Sequence, residues 1–225
     1  MDASEWNERY LKAGAADEAR LWSAVPPLLL QQSAASWQPG RALDLATGDG
    51  RTAIWLAAAG HAVTAVDFSA EAINQARGHA ASAGVEVDWV VADALSWAST
   101  QTFDLVTMLY LHLPSPLLRQ ALADAFARLA PGGQLFVLGH DRGNIAAGAP
   151  GPRDPELLYT PELLASALDP ACVLRCETVR RDLAVDPEAA MKHNSGAASG
   201  EPSVVPEADA PRYALDTVLV ARAAA

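Results

Sequence analysis

From Arg41 onward the apolar positions keep changing period, from short unbroken or alternating runs to repeats of three and four. That pattern predicts strand and helix in strict succession with short links. The expected strands are 42–45, 62–66, 85–91, 103–109 and 134–138. The expected helices are 51–59, 70–81 and 116–130, the last with Leu117, Leu118, Ala121, Leu122, Ala125, Phe126 and Leu129 on one face. A turn and short helix should follow 85–91, and Pro131-Gly132-Gly133 should stop the 116–130 helix. Thr160 reads as an N-cap with Pro161 at the first helical position of a helix running to about Leu168. Two strands, Cys172 to Arg180 and Arg212 to Ala221, complete the series. Repeated βα units with short connections require an α/β fold: a parallel, doubly wound sheet with helices on both faces.

The flanks read differently. Residues 1–38 form a helical cover, with Trp6 and Tyr10 at helical spacing and a short apolar helix over Leu21 to Leu30 interrupted at Pro26-Pro27. Residues 182–211, rich in Pro, Ala, Ser, Gly and Glu and without a period, read as a flexible insertion before the last strand. At 225 residues the chain suits a single domain, 1–225.

Composition narrows the partners. The chain is 51% hydrophobic with a formal net charge of -11, which excludes a disordered chain and disfavours nucleic-acid or anionic-membrane surfaces. No leader opens it and no run reaches transmembrane length, so a soluble cytoplasmic protein is expected, monomer or homodimer, without nucleic-acid or membrane partners. Cys172 and Cys176 would share a strand face too far apart to bond, hence reduced thiols, and no metal site is expected.

The chemistry concentrates in Arg41-Ala42-Leu43-Asp44-Leu45-Ala46-Thr47-Gly48-Asp49-Gly50, a strand that runs through a glycine turn into a helix. Such a turn lets a polar ligand approach backbone N–H groups with no side chain in the way. Gly48-x-Gly50-x-x-Ala53 also fits a dinucleotide fingerprint, with Asp67 at a suitable distance. Asp44, four residues before Gly48, decides between ligands: a carboxylate there repels a pyrophosphate and suits a sulfonium.

With Asp44, Ala46, Gly48 and Gly50 in an acidic-x-Gly-x-Gly-x-Gly frame, Ala46 replacing the first glycine, the chain resembles the class I S-adenosylmethionine-dependent methyltransferases. Asp67 in Ala65-Val66-Asp67-Phe68-Ser69 resembles the residue that holds the ribose hydroxyls, and Asp93 in Val91-Ala92-Asp93-Ala94-Leu95 the one near adenine. Phe103-Asp104-Leu105-Val106 and Pro131-Gly132-Gly133 resemble the start of the fourth strand and the turn before the fifth. Trp6-Asn7-Glu8-Arg9-Tyr10 resembles the opening of small-molecule enzymes of the tellurite-resistance and thiopurine type. The resemblance implies a Rossmann-like seven-stranded sheet of order 3-2-1-4-5-7-6. It also implies S-adenosyl-L-methionine as cofactor, with S-adenosyl-L-homocysteine as product, and a small-molecule methyl acceptor attacked through O, N or S. The implied cofactor residues are Tyr10, Asp44, Ala46, Thr47, Gly48, Gly50, Asp67, Phe68, Asp93 and Ala94. Asp44, Asp67 and Asp93 each keep a purely structural alternative, as turn or helix caps.

Acceptor chemistry should sit in the loops after the fourth and fifth strands. Tyr110-Leu111-His112-Leu113-Pro114 and Gly139-His140-Asp141-Arg142 lie there, with His112 and His140 as candidate bases and Asp141 as orienter of His140. Arg142, Tyr159, Leu111, Leu113 and Ile145 are candidates for the mouth. Two rival readings stand beside this one: an NAD(P)-binding oxidoreductase or epimerase, for which no Tyr-x-x-x-Lys pair is present, and a non-catalytic S-adenosylmethionine-binding sensor or partner protein.

Overall fold

The computed structural model describes residues 2–15, 20–185 and 212–225; from residue 186 on, the stretch read as an insertion lies outside the described residues, as does His193. Two N-terminal helices, α1 (Ala3–Ala15) and α2 (Leu28–Ala34), precede the βα series. The series runs β1 (Arg41–Leu45), α3 (Arg51–Ala58), β2 (Ala62–Asp67), α4 (Ala70–Ala83), β3 (Asp88–Val91), β4 (Phe103–Leu109), α5 (Ser115–Ala127) and β5 (Leu129–His140). Short helices α6 (Asn144–Ala147) and α7 (Pro161–Ala165) lead to β6 (Val173–Asp182) and β7 (Tyr213–Arg222). The strands form one sheet in the order the resemblance implied, β3-β2-β1-β4-β5-β7-β6, in which β7 alone runs antiparallel to its neighbours.

Side-chain alternation divides the core between the two sheet faces. Leu43, Leu45, Val106, Met108, Leu135 and Val137 pack with Leu118, Ala121, Leu122 and Ala125 of α5. On the other face Ala42, Val63, Ala65 and Leu105 pack with Ala53 and Leu56 of α3. Leu30 of α2 is fully buried against Phe136, Leu138 and Val218, so the N-terminal part supplies core as well as cover. Thr160 caps α7, its hydroxyl accepting from the Leu163 N–H at 3.2 Å, with Pro161 behind it.

Several expected boundaries move, each for a local reason. The third strand starts at Asp88, not Val85, because Gly84 (φ 68°) ends α4 and the Val85 N–H turns back to the Ala80 carbonyl at 3.1 Å. No helix follows β3; Asp93 closes a turn by accepting from the Leu95 N–H at 2.9 Å, while its carbonyl accepts from Ser96 and Trp97. The 116–130 helix ends at Ala127, since Leu129 is drawn into β5 opposite Phe103, and Pro131-Gly132-Gly133 forms an irregularity in that strand instead of the helix stop. The helix expected over Leu21 to Leu30 forms only from Leu28, after Pro26-Pro27. Helix α7 stops at Ala165, short of Leu168. Cys172 falls in a 3-10 turn, so it shares no strand face with Cys176; both are free and half-buried.

Gly139 of β5 is where the packing leaves no room, for a Cβ built there would run into the ring of fully buried Tyr159. Gly139→Ala should therefore lower the unfolding free energy by about 1–3 kcal/mol in urea titration. Gly78→Ala, in the interior of α4 with open space around the new methyl, should raise it by about 0.5–1 kcal/mol. Equal shifts for the two would refute this packing argument.

Candidate active site

The order of strands reverses between β1 and β4, and it is at the carboxyl ends of the strands around such a switch point that an α/β sheet offers a crevice for ligand. At its β1 side the chain makes a tight cradle with Ala46, Gly48 and Gly50 all in the left-handed region, at φ 56°, 58° and 83°. Only glycine enters that region freely, and Ala46 does so at a cost of about 1–2 kcal/mol. The cradle is crowded: a Cβ at Gly48 would lie 2.6 Å from the Tyr10 hydroxyl, and one at Gly50 2.5 Å from the Trp89 indole.

Carboxylates hold this turn in place. Asp67, at the end of β2, accepts the Gly48 N–H at 2.8 Å on one oxygen and the Ser69 N–H at 2.9 Å on the other. Asp44 is buried and accepts a hydroxyl on each oxygen, from Thr47 and from Thr107, both at 2.6 Å. Burial pushes Asp44 from an ordinary value near 3.8 up to about 6, against the pull of those two hydroxyls. Burial also raises Asp67, opposed by its two backbone N–H groups, and raises Asp49 against the pull of Arg20 and Arg51.

Two arginines answer these charges. Arg20 reaches Asp49 at 3.4 Å, while the other Asp49 carboxylate oxygen is buried without a hydrogen-bond partner. Arg51 is buried at the start of α3, and its guanidinium lies 5.8 Å from the Tyr110 ring centroid. Burial pulls its pKa down, while Tyr110, Asp49, Tyr10 and Asp44 resist. Sequence reading missed Arg51, although a cation at a helix N-terminus, against the dipole, is itself a signal of a nearby anion.

The N-terminal helix is fastened over the cradle. The Asn7 side-chain oxygen accepts from the Ser69 hydroxyl at 2.7 Å and the Glu71 N–H at 3.2 Å, and Gln75 of α4 donates to the Tyr10 carbonyl at 2.8 Å. Tyr10 itself is buried, and its hydroxyl accepts from the Trp22 indole at 3.2 Å. Among the other expected cofactor residues, Phe68 is half-buried beside Asp67, and Asp93 is exposed next to half-buried Ala94. The Ala92 N–H bonds the Asp67 carbonyl at 3.0 Å, bringing the ends of β2 and β3 together.

On the β4–β5 side, His112 and His140 stack with ring planes 4° apart and centroids 5.2 Å apart, next to the rings of Tyr110 and Tyr159. Tyr110 is the second non-glycine residue at positive φ, 56°. The expected pairing of His140 with Asp141 does not form. Asp141 faces away and accepts from the Gly143 N–H at 2.7 Å, the Thr178 hydroxyl at 2.8 Å and the Thr217 hydroxyl at 2.7 Å. The acid facing His140 is Asp216 of β7, at 3.3 Å from its Nδ1. Asp216 also accepts from Arg181 at 2.6 Å and Tyr110 at 3.3 Å. A lone carboxylate in the otherwise apolar run Tyr213 to Ala221 was the available signal. The Tyr159 hydroxyl bonds the Leu111 carbonyl, Leu111 and Leu113 are half-buried, Ile145 is exposed, and Arg142 turns outward to the Pro155 carbonyl. Asp104, at the far end of its strand, accepts from the Arg41 N–H at 2.7 Å and stands clear of the crevice. Among the described residues no group of three or more His, Cys, Asp or Glu is placed to hold a metal, and no helix is long and apolar enough to cross a membrane.

Comparison with known proteins agrees with this geometry. Residues 42–133 match the family model described as a methyltransferase domain. A ubiquinone biosynthesis O-methyltransferase from Xanthomonas axonopodis pv. citri is 36% identical over 121 residues, covering 51% of this chain and 49% of the relative. The chain thus matches about half the length of such curated relatives. Among solved structures, TehB from Haemophilus influenzae superposes with a TM-score of 0.63 at 14% identity, covering 86% of this chain and 61% of that one. NodS, an N-methyltransferase from Bradyrhizobium japonicum solved with S-adenosyl-L-homocysteine, gives 0.58 at 18% identity, covering 86% and 83%. Over residues 42–133 the chain is thus similar to methyltransferase domains, and as a whole it shares the fold of these solved methyltransferases.

The raised pKa of Asp44 has a consequence for stability. A carboxyl whose folded value lies near 6 and unfolded value near 3.8 stabilises the fold below about pH 4 and loses that contribution as pH rises through 6. The full span is roughly 3 kcal/mol. Asp44→Asn keeps the shape without the titration, so between pH 4 and 7.5 the variant should gain about 2–3 kcal/mol on the wild type in urea unfolding. A gap that does not change with pH would show that Asp44 does not titrate in this window.

Proposed function

We propose that this chain is an enzyme that binds S-adenosylmethionine in the cradle and transfers its methyl group to an oxygen, nitrogen or sulfur nucleophile of a small molecule. The observation that carries the reading is the charge layout around the turn. A buried Asp49 oxygen without a donor and the buried Arg51 guanidinium match the ammonium and carboxylate of an amino-acid moiety. Asp67 spends one backbone bond on each oxygen and keeps acceptor capacity for a ribose diol. Asp44, Ala46, Thr47, Gly48 and Gly50 shape the turn, Tyr10 covers it, and Phe68, Asp93 and Ala94 flank the base. Three buried carboxylates make a poor seat for the pyrophosphate of NAD(P).

S-adenosylmethionine held by these residues would supply an electrophilic methyl group on a sulfonium whose sulfur would keep the electron pair of the broken bond, and any proton on the nucleophile would have to leave. The protein's part is to align the acceptor at the β4–β5 end, exclude water and receive that proton, with His112 and His140 as the groups at hand. The names of the matched relatives, an O-methyltransferase and an N-methyltransferase, support methyl transfer without selecting the acceptor.

Calorimetric titration tests the cofactor directly. S-adenosylhomocysteine should bind and NADH should not, and the opposite result would overturn the reading. Asp67→Ala should weaken S-adenosylhomocysteine by about 2–4 kcal/mol with the circular dichroism spectrum retained. Unchanged affinity would mean that Asp67 serves the turn alone.

A further inference from the structure

Tyr110 holds a backbone conformation that its own side chain opposes. At φ 56° it is, with Ala46, one of two non-glycine residues in the left-handed region among the described residues, and for a bulky aromatic residue that region is strained. It is the first residue beyond β4, and the pairing of Leu45 with Met108 sets it level with the cradle turn after β1. Two anchors hold it there. The Tyr110 N–H donates to the Leu138 carbonyl at 2.7 Å, and the hydroxyl donates to Asp216 at 3.3 Å, with Asp216 held in turn by Arg181 at 2.6 Å. The half-buried ring between these anchors has its centroid 5.8 Å from the Arg51 guanidinium carbon on the cradle side and 4.8 Å from the His140 ring on the acceptor side. Glycine or asparagine would take the same turn with less strain, so keeping a ring here points to a use for the ring.

The covalent order of the methyl donor says what that ring would meet. Sulfur joins the amino-acid moiety, read at Asp49 and Arg51, to the ribose, read at Asp67, and its methyl group must point toward the β4–β5 end. Tyr110 stands on that line, between Arg51 and His140. An aromatic face attracts a cation through its quadrupole. A sulfonium suits such a face better than a hydrogen-bonding site does, since its charge carries no N–H or O–H to donate. Arg51, at the outer reach of a cation–π contact, shows that a positive group and this ring already share the space.

We propose that the Tyr110 ring is the specificity-determining contact for the donor's sulfonium, so that the site holds the charged donor in preference to the neutral thioether that transfer leaves. This rests on the methyl-transfer reading and adds to it a means of telling donor from spent product. As the acceptor bonds the methyl carbon, the electron pair of the carbon–sulfur bond stays on sulfur, the sulfur becomes uncharged and the ring loses its partner. An attraction that fades along the reaction favours the ground state, so the ring acts on binding and product exchange and does not speed the chemical step. The face of the ring makes the contact, while the hydroxyl serves the link to Asp216.

Calorimetric titration with S-adenosylmethionine and S-adenosylhomocysteine, on the wild type, Tyr110→Phe and Tyr110→Asn, tests this without turnover. Asparagine removes the ring and tolerates the left-handed backbone. In Tyr110→Asn the affinity for S-adenosylmethionine should fall roughly 3- to 30-fold relative to that for S-adenosylhomocysteine, while Tyr110→Phe keeps the wild-type ratio. A residue that only braces the loop would move both affinities together or neither, and that outcome in Tyr110→Asn overturns the proposal. A ratio lost equally in Tyr110→Phe overturns the assignment to the ring face. If Tyr110→Asn does not fold, the wild type decides. With ring-13C tyrosine at the four tyrosines, the signal missing from Tyr110→Phe should shift on adding S-adenosylmethionine and shift less with S-adenosylhomocysteine, and equal shifts overturn the proposal. The two levels separate cleanly: no S-adenosylhomocysteine binding by the wild type defeats the methyl-transfer reading, whereas binding with an unmoved ratio defeats this one alone.

Discussion

Two backbone donors at the ends of neighbouring strands, the N–H groups of Gly48 and Ser69, are buried where neither a helix nor a sheet ladder can satisfy them, and one carboxylate, Asp67, meets both. A buried N–H left alone costs free energy comparable to a lost hydrogen bond, so this acceptor holds the cradle in its left-handed path. It also ties the turn after β1 to the N-terminus of α4. Asn7 fastens α1 to the same place through the Ser69 hydroxyl and the Glu71 N–H. The electrostatic setting follows from that choice: Asp44 and Asp49 lie close by, burial raises all three acids, and Arg20 and Arg51 are drawn in to compensate.

The other half of the crevice depends on the antiparallel strand. Because β7 pairs with β5 in the register His140 opposite Asp216 and Gly139 opposite Thr217, side chains alternate in two sets. His140 and Asp216 share one face, with Arg181 of β6 reaching Asp216 on it. Asp141 falls on the other, with Thr217 and Thr178. A base and its orienter one residue apart along a strand would therefore point opposite ways. The positive-φ residues Ala46 and Tyr110 stand at the ends of adjacent strands β1 and β4, where the two halves of the crevice meet.

The alternation of strand and helix, the glycine cradle with Asp44, and the acid at Asp67 were legible in the sequence because each is a local pattern: periodicity, turn chemistry, or a fixed spacing within one βα unit. Boundaries were less so. Leu129 fits the apolar stripe of α5, yet pairing with Phe103 takes it into β5, a contact between residues far apart in sequence. Val85 looks like strand until the cap at Gly84 uses its N–H.

By itself the sequence determined an α/β chain with a glycine turn between acids that suits a cationic cofactor, and two histidines at the active ends of the fourth and fifth strands. Only the tertiary structure decided what those residues face. Asp216 reaches His140 from more than seventy residues away through antiparallel pairing, and His112 is tautomerically fixed by a carbonyl at Leu157. Spacing along a chain reports local geometry, whereas the partner of a buried polar group is set by strand register and loop packing, which bring together residues no local pattern connects.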